Sequence, residues 1–276
     1  MKEKQKLGFI VPDELWARWE PLIGAHPNTH PFGGGRPRRS DRACANAIFF
    51  VLRTGCQWEA LDVTGLCPHS TAHDRFQEWV ESGLWQRLWQ EAVNCYDELK
   101  GLNWSFMCAD GSMVKAPLAK EEHGRNPTDR GKQGVKRSLL TDAKGIPLSV
   151  VVAGANVNDH LLLDQTLRES IVERPTPSRA HPQGLCLDKG YDYELTRQVG
   201  ATHRLRLHLR TRGEENQAKK QNPKHKARRW VVERTGSWLN RFRRVLVRWE
   251  KKAANYKAML GLACACIAFQ QAGLFG

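Results

Sequence analysis

The chain contains no apolar run long enough to cross a membrane. Its best candidate, Ala258 to Phe269, falls short of the ~20 residues a bilayer needs and is expected to be a buried helix. The amino terminus, Met1 to Leu7, is charged and no signal-type apolar stretch follows it, so the expected location is the cytoplasm, near the nucleoid. There is no CxxC pair among the eight cysteines (Cys44, Cys56, Cys67, Cys95, Cys108, Cys186, Cys264 and Cys266), and most lie in apolar stretches. A cytosolic chain of this size does not need disulfides, so free, buried thiols are expected. Cys56, Cys67, His69 and His73 can be imagined as zinc ligands, but their spacing matches no common zinc module and a structural role is the better reading. Acidic residues are scarce in one place. Of a net charge of +14 over 276 residues, the segment Arg197 to Lys257 holds 19 Lys and Arg against 4 acids, while the rest of the chain is about neutral. A polyanionic partner explains such concentration, because each neutralised phosphate releases counterions.

The length accommodates a small domain and a larger one, expected at 1–100 and 101–276. Residues 12–24 have the pattern of a short amphipathic helix between two prolines. A basic, glycine-rich loop, Asn28 to Arg39, follows, and its Arg36, Arg38 and Arg39 could reach along a phosphate backbone. Ser40 or Asp41 caps a helix with Ala47, Ile48, Val51 and Leu52 on one face, ended by Gly55. Ser70 or Thr71 is expected to cap a further helix, Ala72 to Val80, and another spans Leu84 to Leu99. Helix, break, capped helix is the pattern of a helix-turn-helix module.

Beyond Asn103 the pattern becomes α/β. Trp104 to Ala109 reads as a buried strand ending on Asp110. A polar, glycine-rich loop leads to strands Val135–Thr141 and Ile146–Ala153, joined by the hairpin-type turn Asp142 to Gly145. A helix over Asp159–Val172, a strand Leu185–Leu187 ending on Asp188, a short helix Glu194–Val199 and an edge strand His203–Leu209 come next. The spacing then predicts one long helical stretch from about Ala227 to Gln271. Its polar stripe is Arg229, Glu233, Ser237, Asn240, Arg244 and Arg248; its apolar seam is Val231, Trp238, Phe242, Val245 and Trp249. The aromatics Trp230, Trp238, Phe242 and Trp249 could stack on bases, but the seam makes core packing the stronger expectation.

Three carboxylates stand out. Asp110 and Asp188 each end an apolar strand, where open α/β sheets gather ligands. Glu233 is a lone acid on a basic stripe. Taken singly, a strand-ending Asp can serve a turn, and Glu233 can form a surface ion pair with Arg229 or Arg234. Together, beside strong positive charge, they suggest a site for two divalent ions, which would stabilise the attacking and leaving oxygens of an in-line phosphoryl displacement.

At these residues the chain resembles the DDE transposases of the insertion-sequence-5 family, in the insertion-sequence-4-like superfamily. The matching segments are Ala109-Asp-Gly-Ser-Met-Val-Lys-Ala116, Asn126-Pro-Thr-Asp-Arg-Gly-Lys132, Gly154-Ala-Asn-Val-Asn-Asp159, Leu187-Asp-Lys-Gly-Tyr-Asp192, Arg229-Trp-Val-Val-Glu-Arg-Thr-Gly-Ser-Trp-Leu-Asn240 and Arg248 to Tyr256. The resemblance runs from Leu15 to Gln271. It implies a ribonuclease-H-like mixed-sheet core preceded by a small helical, helix-turn-helix-type domain, with Asp110, Asp188 and Glu233 as catalytic metal ligands. It further implies two divalent cations, Mg²⁺ with Mn²⁺ as substitute, and double-stranded DNA as substrate, both terminal inverted repeats and target. A homodimer or larger assembly would join two ends. Asp110 would contact both ions, with Asp188 and Glu233 each completing one. Related enzymes carry a Tyr, Arg, Glu, Lys motif; Arg229 matches its Arg, while Lys226 stands in place of Tyr and Asn240 in place of Lys. Arg241 or Arg244 could replace that lysine. Lys189 and Arg229 are the foremost expected phosphate contacts, with Lys132 and Arg248 also expected near DNA. Only 45 residues separate Asp188 from Glu233, so no large insertion splits the core. Two other readings are a DNA-binding regulator without catalysis and a nuclease that cuts without joining.

Overall fold

The computed structural model describes residues 8–25, 37–209, 220 and 228–275. Met1 to Leu7, most of the Asn28–Arg39 loop including Arg36, nearly all of the 211–225 linker and Lys226 lie outside the described residues.

The amino-terminal part is helical, with clear local causes. Helix α1 (Asp13–Trp19) carries Asp13 and Glu14 in its first turn, where the helix dipole favours acids, and buries Leu15 and Trp19. Trp19 meets Trp85 and Trp79 edge-on, with centroids 5.2 and 5.7 Å away, at the centre of an aromatic core. Helix α2 (Asp41–Thr54) starts at Ser40, whose hydroxyl accepts from the Ala43 N–H at 3.2 Å. It ends at Gly55, in the left-handed region at φ +71, where a Cβ would also press on Arg243. A 3₁₀ turn (Trp58–Val63) leads to α3 (His69–Glu81). This helix begins earlier than Ser70 or Thr71 would allow. Its cap is remote in sequence: the Asp62 carboxylate accepts the His69 N–H at 2.8 Å and lies 2.6 Å from the His69 ring. The connection from α2 to α3 spans 55–68, longer than the three- or four-residue turn of a tight helix-turn-helix. Helix α4 (Leu84–Lys100) completes this part.

The sheet follows. Strands β1 (Phe106–Lys115), β3 (Gln133–Thr141) and β4 (Pro147–Gly154) form an antiparallel meander. Beyond β1 lie β5 (Gly184–Leu187) and β6 (Arg206–Leu209), both parallel to it. The lateral order is β4-β3-β1-β5-β6, with the two-residue β2 (Gly124–Arg125) pairing the far end of β3. Three antiparallel strands extended by two parallel ones are the ribonuclease-H-like arrangement. The hairpin turn is held by Asp142, whose Oδ1 accepts from Lys144 and Ile146 N–H at 2.9 and 2.8 Å, with Gly145 at φ +87. Helix α5 (Asp159–Arg168) packs on β3 and β4, and α6 (Glu194–Thr202) packs beside it and β6.

Two expectations change. β1 does not end at Asp110: it runs on to Lys115, because Gly111–Lys115 keep pairing with β3 after the shorter β5 has stopped. Nor is there one long helix to Gln271. Helix α7 (Trp230–Leu239) stops, a 3₁₀ turn (Arg243–Val245) follows, and α8 (Ala253–Ala272) begins anew. Tertiary bonds favour the break. The Arg248 N–H donates to the Lys115 carbonyl at 2.8 Å, and the Ala253 N–H donates to the Glu121 carboxylate at 2.9 Å. The two stripes rotate with it. Phe242 and Val245 are buried as expected, but Trp249 is exposed, while Arg244 and Arg248 are buried. Trp230 and Trp238 hold the Arg234 guanidinium between them, 4.4 and 4.6 Å from their centroids.

Helix α8 is apolar on every side and buried from Ala258 to Phe269, wedged against α4, β4 and α7. No helix among the described residues is long and apolar enough to cross a membrane. One apolar core therefore runs from α1 through the sheet to α8. All eight cysteines are free, and only Cys56 is not fully buried.

Candidate active site

The parallel register places the two aspartates. Cys108 lies opposite Cys186 in the β1–β5 pair, and Asp110 and Asp188 each come two residues later. Side chains two apart on a strand share a face. The Cys108 thiol donates to the Arg228 carbonyl at 3.3 Å, just before α7, so this face is the one α7 covers. Asp110, Asp188 and Glu233 of α7 are thereby brought to the same side of the sheet.

Their electrostatics agree. The Asp110 carboxyl is pushed up to about 6, first by burial, then by Asp188 and Asp159, with Glu233 adding to it; the Gly111 N–H pulls the other way. Among the described residues, no three His, Cys, Asp or Glu side chains are drawn close enough to hold a metal ion as they stand. Glu233 is turned to another partner. Its carboxylate is half exposed and engaged by Arg229 at 3.5 Å, the ion pair weighed above as the plainer reading.

The basic residues divide. Lys189 is exposed and ion-paired with Asp192, which Arg197 also engages. Arg241, Lys132 and Arg39 are exposed. Arg38 is exposed but grips Glu78 through two bonds of 2.7 and 2.8 Å. Arg244 and Arg248 depart from the expectation of an exposed stripe: both are buried. Arg248 is 0 % exposed and donates to the carbonyls of Glu250, Glu122 and Lys251 at 3.1, 3.2 and 3.3 Å. Arg244 pairs with the buried Glu250 at 2.6 Å and donates to the Cys56 carbonyl at 2.9 Å. Arg244 thus cannot replace the lysine for which Asn240 stands. Helix α3 offers no basic face either, since its Arg75 is buried against Asp41 and Glu78.

Other contributors escaped the sequence reading. Arg137, buried on β3, donates to Ser112 Oγ, the Val245 carbonyl and Asn240 Oδ1 at 3.2, 3.3 and 3.4 Å, tying β1 to the end of α7. Tyr191 is buried, and its hydroxyl is raised well above its ordinary range by burial and by Asp159, Asp110 and Asp188, so it stays protonated. Asp159, the last residue of the matching segment Gly154–Asp159, carries no assigned role in the sequence, yet its charge acts on Asp110 and its carboxylate lies where a Cβ on Gly111 would fall. Two charged residues inside the apolar run Val135–Thr141, Lys136 and Arg137, were the available signal: buried cations need partners.

Comparison with known proteins points to one family. A "Transposase DDE domain" family profile matches residues 105–267, and a "Putative transposase of IS4/5 family" profile matches residues 11–89. A "Putative transposase for insertion sequence element IS402" of Burkholderia cepacia is 38% identical over 155 residues, covering 52% of this chain and 67% of that protein. An uncharacterized 16.2 kDa protein of the same element and organism is 30% identical over 119 residues, covering 43% of this chain and 81% of that protein. Among solved structures, the catalytic domain of Mos1 mariner transposase aligns at a TM-score of 0.30 and 10% identity, covering 68% of this chain and 94% of that one. The two chains share little sequence over that span.

Proposed function

This chain belongs to the DDE-domain transposases, and on that premise we propose that Asp110, Asp188 and Glu233 are the carboxylates with which it cuts and joins DNA. The register that sets Asp110 and Asp188 side by side under α7 is the observation that carries the assignment. The donor set fits divalent cations in kind: three hard oxygen donors, with a mutual repulsion at Asp110 that a cation relieves. Two Mg²⁺ ions, or Mn²⁺ in their place, would stabilise charge on the attacking and leaving oxygens of an in-line displacement.

The chain's own groups supply positioning. Asp110 and Asp188 are fixed by the sheet, whereas Glu233 joins them only by leaving Arg229. Arg229 stands next to the site as a phosphate contact, with Lys189 just past β5 and Arg241 past α7. In the first step water attacks phosphorus at an element end and the bond to the 3′ oxygen breaks, leaving a 3′-hydroxyl. That hydroxyl then attacks a target phosphodiester in the same way, forming one P–O bond as another breaks.

Residues 1–100 would read the terminal inverted repeats and 101–276 would carry the chemistry, with α8 packed between them. Arg39 and the neighbouring loop, rather than α3, are the suitable basic elements of the first part. Because two ends must be joined, two copies would act together. The test uses labelled DNA carrying the element's own ends, with Mg²⁺ or Mn²⁺, comparing wild type and Asp188→Asn. Cleavage followed by strand transfer is expected with wild type only. Binding without cutting under either metal would put a regulatory DNA-binding role in its place.

A further inference from the structure

Directly behind Asp110, on the opposite face of β1, lies a polar cluster that the chemistry above does not use. Alternation along a strand turns position 111 away from the side of Asp110. Position 111 is glycine, and a Cβ there would fall on the Asp159 carboxylate. Asp159 opens α5, and its Oδ1 stands 3.1 Å from the ammonium of Lys136, whose side chain is 7% exposed. Lys136 and Ser138 share Gly111's face, because β1 and β3 pair Gly111 with Ser138 and Met113 with Lys136. Ser138 accepts from Thr166 of α5 at 2.7 Å.

These contacts form a chain of dependence. A buried ammonium requires a partner, so Lys136 anchors Asp159. Asp159 in turn fills the space that Gly111 leaves empty. We propose that Asp159 is a positioning residue of the active site: braced by Lys136, it is a strut beneath Gly111 that fixes β1 at Asp110 relative to Asp188. Lying on the opposite face, it positions Asp110 through the backbone, its charge adding to the field there, and it does not touch DNA. The proposal rests on the assignment of Asp110 and Asp188 made above.

Two variants of the full chain test it. Asp159→Glu keeps the charge that Lys136 needs but is one methylene too long for the space under Gly111. The double variant Lys136→Met/Asp159→Asn removes both charges at nearly constant shape and leaves no unpaired ammonium. Mn²⁺ binding followed by electron paramagnetic resonance, thermal unfolding, and cleavage of labelled element ends are measured for each. Cooperative unfolding is expected, with Mn²⁺ affinity and kcat each down about tenfold or more and KM for DNA unchanged, as for other residues that orient ligands. Either variant, folded, binding Mn²⁺ and cutting within about twofold of wild type would overturn the proposal; if one does not fold, the other decides. If Asp110→Asn binds Mn²⁺ as tightly as wild type, the assignment of the site itself has failed, and the strut with it.

Discussion

The thiol of Cys108 and the carbonyl of Arg228 are joined at 3.3 Å although 120 residues separate them in the chain. The contact fastens the strand that carries Asp110 to the entry of the helix that carries Glu233, and the Cys186 thiol lies alongside it. A sulfur at this seam fills apolar space while still offering a weak donor.

Native thiol chemistry should reflect that packing. With an aromatic disulfide reagent, Cys56 should react promptly, and the other seven only as the protein unfolds. Prompt reaction of Cys108 or Cys186 would mean that the seam between β1 and α7 is open.

Without divalent cation, stability should depend on pH through Asp110. Its carboxyl lies at about 6 in the folded chain, above the ordinary value of 3.8. Between these values the native state holds the proton more tightly than the unfolded state, so this group's contribution falls as pH rises from about 4 through 6. The total is up to about 3 kcal/mol, fully felt above the folded value. Asp110→Asn should flatten that slope and make the metal-free protein more stable at neutral pH, as read by denaturant titrations across the range.

The buried Arg244–Glu250 pair should matter for folding rather than for DNA. Glu250→Ala leaves a guanidinium buried with one carbonyl partner, which should cost about 3–5 kcal/mol. Equilibrium unfolding measures it, and an unchanged midpoint would show that the guanidinium reaches solvent.

Lys189 makes the opposite prediction. It is exposed beside Asp188, and its loss should leave stability within about 0.5 kcal/mol. Lys189→Ala should weaken binding to all DNA sequences alike and reduce the salt slope by about 1. Fluorescence anisotropy over a salt series reads both.

Much of this architecture could be read from the residues alone, where the cause was local. Ser40 and Gly55 bound α2, Asp142 and Gly145 make the hairpin, and the apolar runs before Asp110 and Asp188 mark the paired strands. What could not be read depends on distant partners. Nothing between Leu239 and Ala253 breaks a helix by itself, since the segment contains neither proline nor glycine. It is broken by Lys115, Glu121 and Glu122, which offer the Arg248 N–H, the Ala253 N–H and the Arg248 guanidinium better partners than a helix would. The same blindness put Arg244 and Arg248 on a DNA-facing stripe. In the site, Asp110 and Asp188 were visible as acids closing apolar runs. Asp159 was visible only as the end of a matching segment, because its place depends on the empty side of Gly111 on β1.

Glu233 is the carboxylate on which the account depends most, since it reaches the other two only by exchanging partners. The decisive measurement is cleavage and strand transfer on labelled element-end DNA with Mg²⁺ or Mn²⁺, comparing wild type with Glu233→Gln. The account predicts products from wild type and a loss of about 100-fold or more in the variant, with DNA binding and stability retained. A Glu233→Gln protein that cuts and joins as fast as wild type would contradict it.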